Sequence, residues 1–134
     1  MTRGDLLGWT SFLALLARFA VTPPGRDRVL ALTPSIDPPA VRAALAETAE
    51  ARAALRAEGP PPWAGLADVR DTLRDAGPEG AQADGAALAA LGRSLAAAAR
   101  LGAYGARIRS AAPAMAAHWT TLPLCGDLAA TLAR

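Results

Sequence analysis

The 134-residue sequence contains no lysine and no asparagine, and it has one cysteine and one histidine. A single cysteine cannot form an internal disulfide, which suits a reducing compartment, and we expect Cys125 to be a buried, inert thiol. One histidine and one cysteine cannot build a structural zinc site. Without lysine there is no phosphate-binding loop of the Gly-Lys-Ser/Thr type, so the chain by itself is not a Walker-type ATPase.

Aromatic residues are also scarce, at 4% of the sequence, whereas apolar residues as a whole make up 52%, many of them alanine. A core built from such side chains is thin, and helices can approach one another closely in it. No stretch alternates apolar and polar residues as a half-buried strand does, and no apolar run reaches the roughly 20 residues that span a bilayer. Asp5 and Arg18 disfavour a signal peptide in residues 1–20. The sequence therefore predicts an all-α, cytoplasmic protein without a membrane span.

The length fits a single helical domain, residues 1–134, with about five to seven helices. Proline, glycine and aspartate residues indicate where helices begin and end. Predicted helices lie near residues 5–20, 24–32, 38–58, 66–76, 85–109 and 113–119, with a final turn or two at 127–132.

Two features qualify this helix prediction. Residues 77–85 have no apolar side chain larger than alanine and predict a loop. In the long helix after Asp84, a kink or break is predicted near Gly102–Gly105, because glycine inside a helix costs up to about 1 kcal/mol relative to alanine.

The stretch from Leu6 to Pro34 is the predicted nucleus of the core. Trp9, Leu13 and Leu16 follow Leu6 at helical spacing, and Phe12 and Phe19 widen the same apolar face. The stretch holds half of the aromatic residues in the chain. Another aromatic residue, Trp63, follows a run of prolines. It is expected to fold back onto the core rather than to serve as a docking point.

The net charge is +2, but it is unevenly distributed. Residues 85–134 contain five arginines and one acid, so an anionic partner would bind there. Arg93, Arg100 and Arg107 recur every seven residues, with Arg109 close by, and on one helix the first three form a stripe about 21 Å long. This stripe is the candidate contact surface for a phosphate backbone or an acidic partner helix, and the alternative is a solvated helix face.

An enzymatic role would need a pocket that gathers His118, Cys125 and a carboxylate such as Asp127. His118 has no partner at a meaningful spacing, and a surface position for it is favoured. We assign no catalytic residue, metal ligand, cofactor or small-molecule substrate to this sequence.

Several short motifs follow one another in a defined order along nearly the whole chain. They are Leu7-Gly8-Trp9, Thr22-Pro23-Pro24-Gly25-Arg26, Leu30-Ala31-Leu32-Thr33-Pro34, Ala46-Glu47-Thr48-Ala49-Glu50-Ala51 with Leu55, Gly65-Leu66-Ala67-Asp68-Val69-Arg70 with Leu73, the arginine-rich helix after Asp84, and Leu122-Pro123-Leu124 with Asp127-Leu128. In this order they resemble the N-terminal region of the bacterial type-two MutS family, the anti-recombination paralogues of the mismatch-repair protein.

The resemblance implies an all-helical core segment that packs near the family's ATPase and leads into the helices that reach its clamp. Members dimerise, bind branched DNA and restrain recombination, and some act on stalled ribosomes. The ATPase, the clamp and the small-MutS-related nuclease would lie beyond Arg134, so the chain is expected to be a fragment or a truncated product. Two departures are Ala83, where a larger aliphatic residue is usual, and Gly85-Ala86-Ala87, where an acid is usual.

Two functions follow from these observations. The first is a non-catalytic helical core and coupling module of a type-two MutS protein, for which we expect Trp9, Phe12 and Leu45 to pack in one helical core. The second is a free-standing module that binds DNA or an acidic protein through the arginine-rich helix. A homodimer is compatible with both, because an apolar strip is expected where missing parts would dock.

Overall fold

The structure is a computed structural model that describes residues 8–78, 84–122 and 125–132. These residues form seven helices and no strand, which confirms the all-α prediction. The helices are α1 (Trp9–Ala17), α2 (Pro23–Leu30), α3 (Pro38–Glu58), α4 (Arg70–Asp75), α5 (Gly85–Ile108), α6 (Pro113–Thr120) and α7 (Gly126–Leu132). By its internal contacts the chain divides into two compact units, Met1–Pro34 and Ser35–Arg134. The single domain over residues 1–134 stays a prediction.

The first unit pairs α1 with α2. The side chain of Thr22 caps α2 by accepting a hydrogen bond from the amide of Gly25 at 3.2 Å. The indole nitrogen of Trp9 donates to the carbonyl oxygen of Leu32 at 3.2 Å, which joins the start of α1 to the residues that follow α2.

The prediction that this unit forms the nucleus of the core is wrong. Only Leu13 and Ala17 of α1 are buried, whereas Phe12 is 51% and Phe19 77% exposed. The apolar face of α1 occupies an arc of about 200° around the helix axis, with Leu15 at one edge and Ala17 at the other. A single neighbouring helix, α2, cannot cover so wide an arc. Residues 5–7, including Leu6, lie outside the described part of the chain.

Helix α3 begins and ends where the sequence predicts. The carboxylate of Asp37 accepts from the amide of Ala40 at 3.3 Å, and Pro38 occupies the first helical position. Gly59 ends the helix with φ 73°, a left-handed conformation that favours glycine. Along its 21 residues only Ala54 is buried, and Leu45 is 64% exposed. The expected core of Trp9, Phe12 and Leu45 would join the two units, and it stays a prediction.

The next helix is shorter than the predicted one at residues 66–76. Residues 66–69 are not helical, and the amide of Ala67 donates to the hydroxyl of Ser94 at 3.0 Å. The carboxylate of Asp68 then accepts from the amide of Arg70, and the helix starts only there. Residues 79–83 of the predicted loop at 77–85 lie outside the described residues.

Helix α5 runs from Gly85 to Ile108 without the break that was predicted near Gly102–Gly105. Its start is fixed by Asp84, whose carboxylate accepts from the amide of Ala87 at 2.6 Å. Gly105 has a packing role: a Cβ atom there would lie 2.9 Å from the Cβ atom of Trp119 on α6. Glycine therefore permits the close approach of α5 and α6.

The core of the second unit lies where α3, α5 and α6 meet. Five buried residues form it, and they are Ala54, Tyr104, Ile108, Ala112 and Ala116. Met115 and Trp119 pack against them. With three alanines in contact, the helices approach closely, as the composition predicts.

Helix α6 is capped from another helix. The residue that precedes its first turn, Ala112, has no side-chain group that binds the free amides of the helix. Instead the carboxylate of Glu50 on α3 accepts from the amide of Met115 at 3.0 Å. The negative charge of this carboxylate also interacts favourably with the positive end of the helix dipole.

The chain ends with α7, which packs on α5. Residues 123–124 of the motif Leu122-Pro123-Leu124 lie outside the described range. Cys125 stands directly before α7 and is exposed, so the prediction of a buried thiol is wrong. Among the described residues, no helix combines the length and the apolar character that crossing a bilayer requires.

Candidate interaction surface

The four arginines predicted as contact residues lie on and just after α5. Because α5 is continuous, Arg93, Arg100 and Arg107 lie on one side of it, as the spacing predicts. Arg109 lies at the C-terminal end of the helix and points about 160° away from Arg93. The three-residue stripe therefore forms, and the fourth arginine is not part of it.

Part of this stripe holds the chain segment that follows α3. Arg107 donates through Nε to a carboxylate oxygen of Glu58 at 3.0 Å, and the Tyr104 hydroxyl donates to the carbonyl oxygen of Gly59 at 2.7 Å. Arg100 donates through Nη2 to the carbonyl oxygen of Ala64. Residues 100, 104 and 107 are one helical turn apart, so one edge of α5 binds both ends of the segment 58–64.

Aromatic side chains extend these contacts into a groove. The guanidinium carbon of Arg107 lies 5.4 Å from the centroid of the Tyr104 ring, and the Tyr104 and Trp119 ring centroids are 5.1 Å apart. Trp63 meets Trp119 edge-on at 5.8 Å and is half-buried, which confirms that it folds back onto the core.

The groove beside these rings has a volume of about 300 Å³ and an almost wholly apolar lining. We call it the aromatic groove, and it is lined by Ala51, Ala54, Leu55, Pro61, Trp63, Tyr104, Met115 and Trp119.

The role of the arginines as contacts for an anionic partner stays a prediction, but the geometry divides them. The hydrogen bonds of Arg100 and Arg107 within the chain compete with any external phosphate. Among the described residues, Arg93 and Arg109 are exposed and have no such partner. They are separated by 16 residues, about 24 Å along the helix, and point to opposite sides.

Among the described residues, two titratable groups have shifted pKa values. Burial raises the pKa of Tyr104, and the charge of Glu58 adds to this while that of Arg107 opposes it. The pKa of Asp68 is lowered, chiefly by the hydrogen bond from the Arg70 side chain and then by that from its amide. Both carboxylate oxygens of Asp68 bind the Arg70 guanidinium, at 2.9 and 2.6 Å.

The residues considered for an enzymatic role are not drawn together around a cavity. His118 lies exposed on α6, as predicted, and Cys125 and Asp127 are exposed at the start of α7. None of the three lines a cavity found in the described part of the chain. Within residues 8–78, 84–122 and 125–132 there is also no group of three or more metal-ligating side chains.

The structure shows one surface that the sequence analysis did not single out, on α3. At about 100° per residue, Arg42, Arg52 and Arg56 fall within an 80° sector centred close to Leu45. All four side chains are exposed, and Leu55, about 60° beyond the edge of the sector, is 49% exposed. We call these five residues the α3 face. The sequence contains this pattern as arginines at i, i+10 and i+14 with leucines nearby. Identifying it as a surface requires knowing which side of α3 is buried.

The comparisons with known proteins assign no relative to the chain: no family model, no curated protein and no solved structure matches it. Its relation to the type-two MutS family therefore stays a prediction that depends on the order of the sequence motifs.

Proposed function

We propose that the chain is a non-catalytic helical docking module, the N-terminal core region of a type-two MutS protein. In that role it packs against the ATPase and clamp parts of the parent and contributes to DNA repair and the restraint of recombination. The observation that carries the docking role is the exposure of large apolar side chains in both units.

The exposed apolar side chains are too numerous for scattered surface residues. In the first unit Phe12 and Leu15 lie on one side of α1 and Phe19 follows the helix, and each of the three is more than half exposed. In the second unit Leu45 and Leu55 are exposed on α3. Large apolar side chains exposed in such groups are typical of sites that bind another protein part.

The family part of the proposal has a narrower basis. The expected core of Trp9, Phe12 and Leu45 would join the two units and does not contribute to that basis. What supports the resemblance is the motif order, together with helix starts that fall at Thr22, Asp37 and Asp84, all within or beside the motifs.

The test is the reading frame that follows codon 134, expressed together with the chain. We expect it to encode a phosphate-binding loop, and we expect the two polypeptides to copurify. Phe12→Asp together with Leu45→Asp should abolish copurification, whereas Leu73→Asp, at a leucine of similar exposure on α4, should not. A following sequence unrelated to an ATPase would overturn the family assignment.

A further inference from the structure

The charges of α3 are segregated in a way that its sequence does not reveal at first sight. Its three arginines lie within one sector of about 80°, and its three glutamates, Glu47, Glu50 and Glu58, lie within a second sector on the opposite side. Two of these glutamates are used inside the chain, since Glu50 caps α6 and Glu58 binds Arg107. The sector of α3 opposite the glutamates therefore contains only basic charges.

The arginines of the α3 face are not used within the chain. Arg42, Arg52 and Arg56 are exposed and make no ion pair or side-chain hydrogen bond to another described residue. Three unpaired cations on about 21 Å of one helix side would attract an anionic partner, most strongly at low salt.

Apolar surface lies within and beside this basic sector. Leu45 is at its centre and 64% exposed. The hydroxyl of Thr48 is satisfied by the carbonyl oxygen of Ala44 at 2.9 Å, so it requires no polar partner. Leu55 belongs both to the α3 face and to the lining of the aromatic groove, which makes the two surfaces continuous.

This combination selects among three classes of partner. A second copy of the chain docked by the same face would bring two sets of three arginines together, which is repulsive. Nucleic acid would pair with the arginines but would leave Leu45, Leu55 and the apolar groove facing phosphates and water. An amphipathic helix with acidic flanks satisfies both the charges and the apolar surface.

We propose that the α3 face and the aromatic groove together bind an acidic amphipathic helix of a partner protein. The partner helix lies along α3 with its acids against Arg52 and Arg56. One of its large apolar side chains, such as leucine or phenylalanine, enters the groove beside Trp63 and Trp119. The inference goes beyond the proposed function, since it names the chemistry of the partner and requires no membership of the MutS family.

The experiment titrates the full chain into a fluorescein-labelled peptide of roughly 20 residues, the length of α3. The peptide carries leucine and phenylalanine at the a and d positions of a heptad repeat and glutamate on both flanks. A matched peptide has lysine in place of every glutamate. Anisotropy measures binding, and the emission of Trp63 and Trp119 reports whether the groove is filled.

We expect the acidic peptide to bind at least about tenfold more tightly than the basic one and to shift the tryptophan emission. Arg52→Glu with Arg56→Glu should reverse this preference, and Leu55→Ala should weaken binding without reversing it. Arg93→Glu, an equal charge change on α5 away from the face, should have no effect. Circular dichroism of each variant verifies that it is folded.

Four results would overturn the proposal. The first two are no binding of the acidic peptide and equal binding of both peptides. The third is that Arg93→Glu changes peptide binding as much as the Arg52 and Arg56 changes do, and the fourth is that a duplex DNA probe binds the chain more tightly than the peptide and loses binding with the Arg52 and Arg56 changes. The peptide result is independent of the reading frame after codon 134. An unrelated downstream sequence would leave this inference standing, and a failed titration would leave the family assignment untouched.

Discussion

The hydroxyl group of Tyr104 on α5 donates a 2.7 Å hydrogen bond to the carbonyl oxygen of Gly59, which precedes it by 45 residues. Gly59 is the residue that ends α3, so this bond fixes the end of one long helix to the last two turns of another. Tyr104 is 1% exposed and its ring packs against Trp119. The contact thus joins the hydrogen bonds that hold the segment 58–64 to the small core of the second unit.

Replacing Tyr104 by phenylalanine should lower the free energy of unfolding by about 1 kcal/mol. The ring and its packing stay, but the part-buried carbonyl oxygen of Gly59 loses its donor. Urea denaturation followed by circular dichroism measures the change. A variant as stable as the parent within about 0.3 kcal/mol would show that water replaces the hydroxyl without cost.

The pKa of Tyr104 should lie above its ordinary value of 10.0 in the folded chain, because burial disfavours the phenolate. The folded state therefore holds this proton more tightly than the unfolded state. Its contribution to stability is complete below about pH 10 and is lost as the pH rises through the folded pKa.

A spectrophotometric titration checks this cleanly, since the chain has one tyrosine and no lysine. Absorbance of the phenolate should rise at a higher pH for the native chain than for the chain in denaturant. Coincident midpoints would contradict the buried position of Tyr104.

Gly105→Ala should destabilise the chain by about 1–2 kcal/mol, although alanine is the better helix former. The new Cβ atom would lie 2.9 Å from the Cβ atom of Trp119 and would push α5 and α6 apart. Gly85→Ala is the matched control, since a Cβ atom there meets nothing within 4 Å. Thermal melts of both variants test the contrast, and equal behaviour would refute the close approach of the two helices.

Arg100→Ala with Arg107→Ala should lower the melting temperature, because the two side chains hold Ala64 and Glu58. The loss should be about 1 kcal/mol in all, since the Arg107–Glu58 pair is partly exposed. Arg93→Ala with Arg109→Ala removes the same charge without removing such contacts and should leave the melting temperature unchanged.

A gel-shift titration across salt concentrations, on the same two double variants, separates structure from binding. If the arginine stripe contacts phosphates, the Arg100 and Arg107 changes should weaken DNA binding and reduce its salt dependence. If the stripe is structural, as its internal hydrogen bonds indicate, affinity and salt dependence should not change. A lower DNA affinity together with a reduced salt dependence would support the stripe as a nucleic-acid surface.

Local features of the fold could be predicted from the sequence because they depend on neighbouring residues. Helices α3 and α5 begin at residues 38 and 85, as predicted, and Asp37 and Asp84 cap them. The Arg74–Asp71 pair, three residues apart on α4, forms at 2.7 Å. Long-range features could not be predicted in this way. The hydroxyl of Ser94 binds the amide of Ala67 across 27 residues, and Gly105 lies against Trp119 of α6.

The core was misplaced for the same reason. Phe12 and Phe19 are large and periodically spaced, which indicates a core face, yet periodicity does not say whether a covering element exists within the chain. The stripe of Arg93, Arg100 and Arg107 was correctly placed on one side of α5. That two of its members bind the segment 58–64 depends on tertiary contacts that spacing does not encode.

The central claim is that each unit has an apolar face that its own helices leave exposed, and hydroxyl-radical footprinting with mass spectrometry tests it most directly. In the isolated chain, Phe12, Phe19, Leu45 and Leu55 should be oxidised readily, whereas Leu13, Leu101 and Ile108 should be protected. Protection of Phe12 and Leu45 to the level of Ile108 at low protein concentration would contradict the account, since these side chains would then not be available to a partner.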